Sequence, residues 1–172
     1  MRRSSSTPYV VSLLAAVART SIVLAGADVA AVASCPSACF CNAPSQIVYC
    51  SRRGLSTIPA DVPADSRQLN LNGNAFHSPV MRRANLSTFV LLEHLYLSEC
   101  RLEVLEVGAF ADLVQLRWLD LSNNRLRAVL PDTFSGLQLQ HLFINGNRHV
   151  RVYTLSNITT VCPVVKVKGY GG

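Results

Sequence analysis

Between Leu92 and Asn147 the apolar positions recur on a fixed template, L-x-x-L-x-L-x-x-N/C-x-L. Leu92, Leu95, Leu97, Cys100, Leu102 and Leu105 return 24 residues later as Leu116, Leu119, Leu121, Asn124, Leu126 and Val129. A step of 23 then brings Leu139, Leu142, Ile144 and Asn147 into the same columns. Phe110-x-x-Leu113 is matched by Phe134-x-x-Leu137. Self-similarity at a fixed period of this length marks a solenoid, in which each repeat is one turn of a coil.

The template predicts a short strand at each L-x-L, stacked in parallel on the strand of the next turn. The leucines point into the coil, and the residues between them point out. One turn cannot bury its leucines alone, so neighbouring turns share a continuous core, each buried Leu contributing about 1.5–3 kcal/mol. Asn124 and Asn147 stand where the chain bends inward and backbone N–H and C=O groups lose strand partners. An amide carries both donors and acceptors and can satisfy them. Cys100 occupies the same column as a structural thiol with a weak S–H donor. The fold class expected is an α/β solenoid, a short right-handed coil with a parallel concave sheet.

Residues 1–33 lie outside this pattern. Arg2 and Arg3 precede an apolar run from Tyr9 to Ala18, and Ala31-Val32-Ala33 is a small-residue cleavage pattern. The segment reads as a secretory signal peptide. A retained signal anchor is the alternative, although Arg19 and Asp28 would be costly inside a bilayer. Cleavage after Ala33 removes three arginines and one aspartate from a formal +6, leaving +4. That mild excess, without a dense cluster, fits a solvated surface better than a nucleic-acid partner. No later stretch is apolar for long enough to span a membrane.

Residues 34–65 form a separate piece. Cys35, Cys39, Cys41 and Cys50 are spaced C-x3-C-x-C-x8-C. In an exported chain four close cysteines imply two disulfides, of three alternative connectivities, with zinc ligation as the competing reading. Together with Gly54-Leu55-Ser56-Thr57-Ile58-Pro59 and Val62-Pro63, this segment resembles the cysteine-rich N-terminal flanking domain of extracellular leucine-rich repeat proteins. That family includes Slit, chondroadherin, the Nogo receptor and the variable lymphocyte receptors. The resemblance implies the pairing Cys35–Cys41 and Cys39–Cys50 and a role as N-terminal cap. Physically, such a cap covers the leucines that a first turn leaves exposed.

The repeats proper occupy residues 66–147. The first, Ser66 to Leu91, carries Leu69, Leu71, Asn74 and Phe76 on the template, with a small insertion around His77–Met81. Asn85-Leu86-Ser87 and Asn157-Ile158-Thr159 are glycosylation sequons, so Asn85 and Asn157 are candidate glycan sites. The outward strand positions form three columns on the concave face. The first is Gln68, His94, Trp118, His141; the second is Asn70, Tyr96, Asp120, Phe143; the third is Asn72, Ser98, Ser122, Asn145. His94, Tyr96, Trp118, Asp120, His141 and Phe143 are therefore the candidate ligand-binding residues, since exposed aromatics on a rigid surface are typical interface anchors.

Residues 148–172 weaken the pattern and are read either as a degenerate last turn, with Val165-Lys166-Val167 as a closing strand, or as a disordered tail. Cys162 is left without an obvious partner. No nucleophile elbow, phosphate-binding glycine loop or His-Glu-x-x-His motif is present. The chain is expected to be a non-enzymatic, monomeric, secreted or cell-surface module without cofactor or metal. Its expected partner is an extracellular protein held by the concave face. A matrix component binding collagen or a proteoglycan chain is the alternative, and a truncated fragment of a longer receptor a third.

Overall fold

The computed structural model describes residues 35–148, 150–152 and 164–166. The export segment read in residues 1–33, the sequon at Asn157 and Cys162 lie outside the described residues. Eleven short strands follow one another: β1 (Phe40–Asn42), β2 (Ile47–Tyr49), β3 (Gln68–Asn70), β4 (Val80–Met81), β5 (His94–Tyr96), β6 (Val104–Leu105), β7 (Trp118–Asp120), β8 (Ala128–Val129), β9 (His141–Phe143), β10 (Arg151–Val152) and β11 (Val164–Lys166).

One seven-stranded sheet, ordered β1-β2-β3-β5-β7-β9-β11, carries the concave face. All its pairings are parallel except the antiparallel β1–β2 hairpin of the cap. The register places Leu69, Leu95, Leu119 and Leu142 in one row. Val48 of the cap precedes this row and Val165 follows it. Leu69, Leu95, Leu119 and Leu142 are completely buried. They belong to a single core that also takes in Leu92, Leu97, Leu116, Leu121 and Phe110. Phe110 and Phe134 stack inside it, ring centroids 5.8 Å apart.

On the far side the returning chain makes two small parallel sheets, β4–β6 and β8–β10. The helical part of the class is confined, among the described residues, to two 3-10 turns, Arg83–Asn85 and Pro131–Phe134. Too few residues remain in each return segment for a longer helix, and a 3-10 turn is the form that short pieces adopt.

The asparagine column closes each turn. Asn74 donates from Nδ2 to the carbonyls of Cys50 (2.8 Å) and Leu71 (2.7 Å), and its Oδ1 accepts from the N–H groups of Arg53 and Leu55 (both 3.0 Å). Asn124 repeats the arrangement one level on, donating to Leu97 (2.7 Å) and Leu121 (3.0 Å) and accepting from Cys100 and Leu102 (both 3.0 Å). Asn147 donates to Leu121 and Ile144 and accepts from Leu126. Each amide thus joins its own turn to the preceding one. Cys100, in the same column, donates its thiol to the carbonyls of Leu71 (3.3 Å) and Ser98 (3.4 Å). Burial pushes this thiol up to about 11.

The cap is held by disulfides Cys35–Cys41 and Cys39–Cys50, the pairing that the resemblance implied. It does more than cover the first turn. Strand β2 pairs with β3, Val48 against Leu69, so the cap supplies the first parallel strand of the sheet. The spacing of the cysteines carries no sign of this.

Two outcomes test this packing. Asn124→Ala leaves three backbone groups, the Cys100 and Leu102 N–H and the Leu97 carbonyl, without partners among the described residues, and should lower unfolding free energy by about 3 kcal/mol in urea titration. In a Cys162→Ser background, Cys100 should react with a maleimide at pH 8 more than about tenfold slower than in the denatured chain. The neutral thiol stabilises the fold below its ordinary value of 9.0, and that contribution is lost as pH rises toward about 11.

Candidate functional site

The outward positions of the strands stand in register across the sheet. Gln68, His94, Trp118 and His141 are direct neighbours in one column. Asn70, Tyr96, Asp120 and Phe143 are neighbours in the next. All eight are half-buried, as side chains standing on a sheet and shielding one another must be.

Trp118 is the centre. His94 lies parallel to its indole, with an interplanar angle of 4° and centroids 6.3 Å apart. His141 approaches it to 4.5 Å and Phe143 to 5.0 Å. Tyr96 leans against it at 6.3 Å, and His141 and Phe143 stack at 6.4 Å. Five aromatic or imidazole rings therefore form one connected surface over three consecutive strands. The indole N–H of Trp118 is buried and has no hydrogen-bond acceptor among the described residues. A buried donor without a partner is uncommon in a folded chain. Burial pushes the Tyr96 phenol above its ordinary value, and Asp120 and Tyr49 add to the effect. At neutral pH Tyr96 is a neutral hydroxyl, able to donate or accept.

Asp120 does not reach into the aromatic surface as a free charge. Its Oδ1 accepts from the Ser122 hydroxyl (2.6 Å) and the Ser122 N–H (2.9 Å). The third column departs from expectation here. Ser98 and Ser122 are buried rather than presented, each only 7% exposed. With the Ser122 proton on Asp120, the Ser98 hydroxyl is the donor to the Ser122 hydroxyl, 3.1 Å away. The bend toward the asparagine column turns these positions inward, so the third column is a polar seam beside the site. Asn72 in the first repeat serves it too, accepting from the Ser98 N–H at 2.7 Å.

The sheet also extends the face beyond the residues singled out by the repeats. Tyr49 of the cap joins the second column opposite Asn70, and Phe40 stands across from it in the hairpin. Phe40 is 60% exposed and Tyr49 38%, with their rings 6.3 Å apart. Only the pairing of β2 with β3 shows that they belong to the same face. Asn85 is exposed at the end of the 3-10 turn Arg83–Asn85, and Leu86 after it is buried.

Among the described residues, no cluster of three or more His, Cys, Asp or Glu side chains is arranged to hold a metal. No helix among them is long and apolar enough to cross a membrane. The glutamates Glu93 and Glu103 pair with Arg67 and Arg127 across neighbouring turns, and Glu99 lies 3.6 Å from Arg52.

Comparison with known proteins agrees with this geometry. Residues 91–148 match the leucine rich repeat family model, and residues 34–63 match the leucine rich repeat N-terminal domain. Mouse leucine-rich repeat-containing protein 3 is 39% identical over 107 residues, 61% of this chain and 32% of that protein. Human reticulon-4 receptor-like 2 is 35% identical over 118 residues, 66% of this chain and 27% of its own. The chain thus spans about a third or less of the length of these two relatives. The crystal structure of human trophoblast glycoprotein superposes with a TM-score of 0.61 at 27% identity, covering 79% of this chain and 62% of that one. With its stacked turns, asparagine column and disulfide-tied front end, the chain belongs to the leucine-rich repeat proteins that carry a cysteine-rich N-terminal cap.

Proposed function

We propose that the chain is an extracellular recognition module that holds a protein partner non-covalently on its concave face, with Trp118 as the central anchor. The observation that carries this is the ring cluster around Trp118 on the outward side of the sheet. Large rings fixed by their neighbours lose little side-chain freedom on binding and displace water over a wide area. Tyr96 and Asp120 supply polar contacts at the margin of the apolar centre, the usual distribution in a protein interface. Phe40 and Tyr49 extend the contact toward the cap. A glycan at Asn85, across the coil from the sheet, leaves this face open.

The receptor-like names among the relatives support this class of function. Export in the secreted form, or retention at the cell surface, follows from the signal-like residues 1–33.

The test presents the secreted chain, multimerised, to an array of extracellular protein domains. The double variant Trp118→Ala, Tyr96→Ala should melt cooperatively near the wild-type temperature yet bind its captured partner more than about a hundredfold less tightly. Trp118 is the only tryptophan in the chain, so its emission should shift on binding. Unchanged affinity in the double variant, or binding without a change in emission, would refute the assignment.

A further inference from the structure

The residue that follows the asparagine column is arginine in three successive turns: Arg101, Arg125 and Arg148. The strand register places them at equivalent positions, since Leu95, Leu119 and Leu142 pair in order. All three are exposed. None of them forms an ion pair among the described residues, whereas Arg52, Arg67, Arg83 and Arg127 each meet a carboxylate. The strands feeding these loops lie about 4.8 Å apart, so three unneutralised guanidinium groups rise along one edge of the coil. Like charges at that spacing repel, and nothing in the core requires arginine there.

The backbone on this edge is specialised as well. The position two residues before the arginine is left-handed in every turn: Glu99 (φ 59°), Asn123 (φ 53°) and Gly146 (φ 73°). At Gly146 a Cβ would collide with the Asn123 side-chain oxygen, 2.1 Å away, so the missing side chain lets Asn123 lie across the next turn. The result is a cleft of about 560 Å³, lined by Asn123, Asn124, Arg125, Gly146, Arg148 and the Glu103–Arg127 pair. Among the described residues its lining carries three arginines and no hydrophobic residue, the apolar part of the wall coming from backbone and side-chain stems.

We infer that this edge is a second binding surface, separate from the concave face, for a sulfated polysaccharide chain. Charge complementarity sets the sign, because repeated anionic groups would relieve the repulsion between the arginines. Guanidinium groups bind planar or tetrahedral oxyanions through paired N–H donors. The lack of hydrophobic residues in that lining chooses between polyanions. An acidic protein segment would bring apolar side chains that find no counterpart here, whereas a sulfated sugar presents only hydroxyls and charged groups. The occupant lies along the stacking direction of the coil, touching one arginine per turn.

The experiment measures binding of the full secreted chain to immobilised heparin as a function of salt. One variant removes the edge: Arg101→Asn, Arg125→Gln, Arg148→Gln. Asn suits the left-handed backbone of Arg101 (φ 61°), and Gln at 125 avoids a new sequon with Asn123. A second removes three charges elsewhere: Arg82→Gln, Arg83→Gln, Arg117→Gln. At an ionic strength of about 0.15 M the edge variant should lose about tenfold or more in affinity and show a shallower salt dependence, with the second variant within about twofold of wild type. Trp118→Ala should bind heparin as wild type does, which keeps this result independent of the concave-face assignment. Equal losses in the two triple variants would mean a diffuse charge effect and overturn the inference. So would an edge variant that binds undiminished, or a wild type that binds polyglutamate in preference to heparin.

Discussion

The fold depends on the satisfaction of backbone groups at the bend after each strand. Asn74, Asn124 and Asn147 each use both ends of one amide, donating to carbonyls of two turns and accepting from the loop N–H groups of the turn before. Without them, the leucine core could be buried only by burying unpaired N–H and C=O groups beside it, each at a cost comparable to a lost hydrogen bond. The amide also fixes the translation from one turn to the next, which makes the sheet parallel and its columns continuous. Cys100 shows how far the requirement can be relaxed. Its thiol donates to the same kind of carbonyl but lacks the strong acceptor, so the link to the turn before is one-sided.

That constraint propagates outward in two directions. Toward the sheet, it sets the register in which Trp118 falls between His94 and His141 and beside Tyr96 and Phe143. An aromatic surface emerges from residues separated by whole repeats. Toward the loops, the bend demands a left-handed residue in each turn and places the side chain two residues later on an exposed edge. The three arginines of that edge and the aromatic rings of the sheet are thus two products of one helical repeat, offset by a few residues within it. The cap obeys the same rule. Residues 52 and 53 hold the loop positions that Gly73 and Asn74 hold in the first repeat, and Arg52 reaches over Gly73, whose missing side chain leaves room for it, to Glu99. The disulfides staple the hairpin, but its attachment to the coil is by strand addition, Val48 continuing the leucine row.

Much of this was legible in the chain before any coordinates. The period of 23–24 residues identified the coil, the leucine row and the neighbours within each outward column, because side-chain direction in a strand alternates and the template fixes which residues are strand. What the pattern could not show was depth. It treated Ser98 and Ser122 as equivalent to Tyr96 and Asp120, and the inward bend buries them against Asp120 and each other. It also stopped at the first repeat, because Ile47–Tyr49 carries no leucine template, although the strand continues the same sheet.

By itself, then, the sequence determined the class of fold, its axis of repetition and the identities of the residues that share a column, since these follow from periodicity and from the burial of apolar side chains. The tertiary structure decided which columns are open, that the cap's rings join the concave face, and that, among the described residues, the Trp118 N–H has no acceptor and three arginines on one edge have no ion pair. The reason is physical. Periodicity specifies direction from the backbone, whereas exposure, ring contact and charge pairing depend on distances between side chains of different turns, which only the stacking of the coil sets.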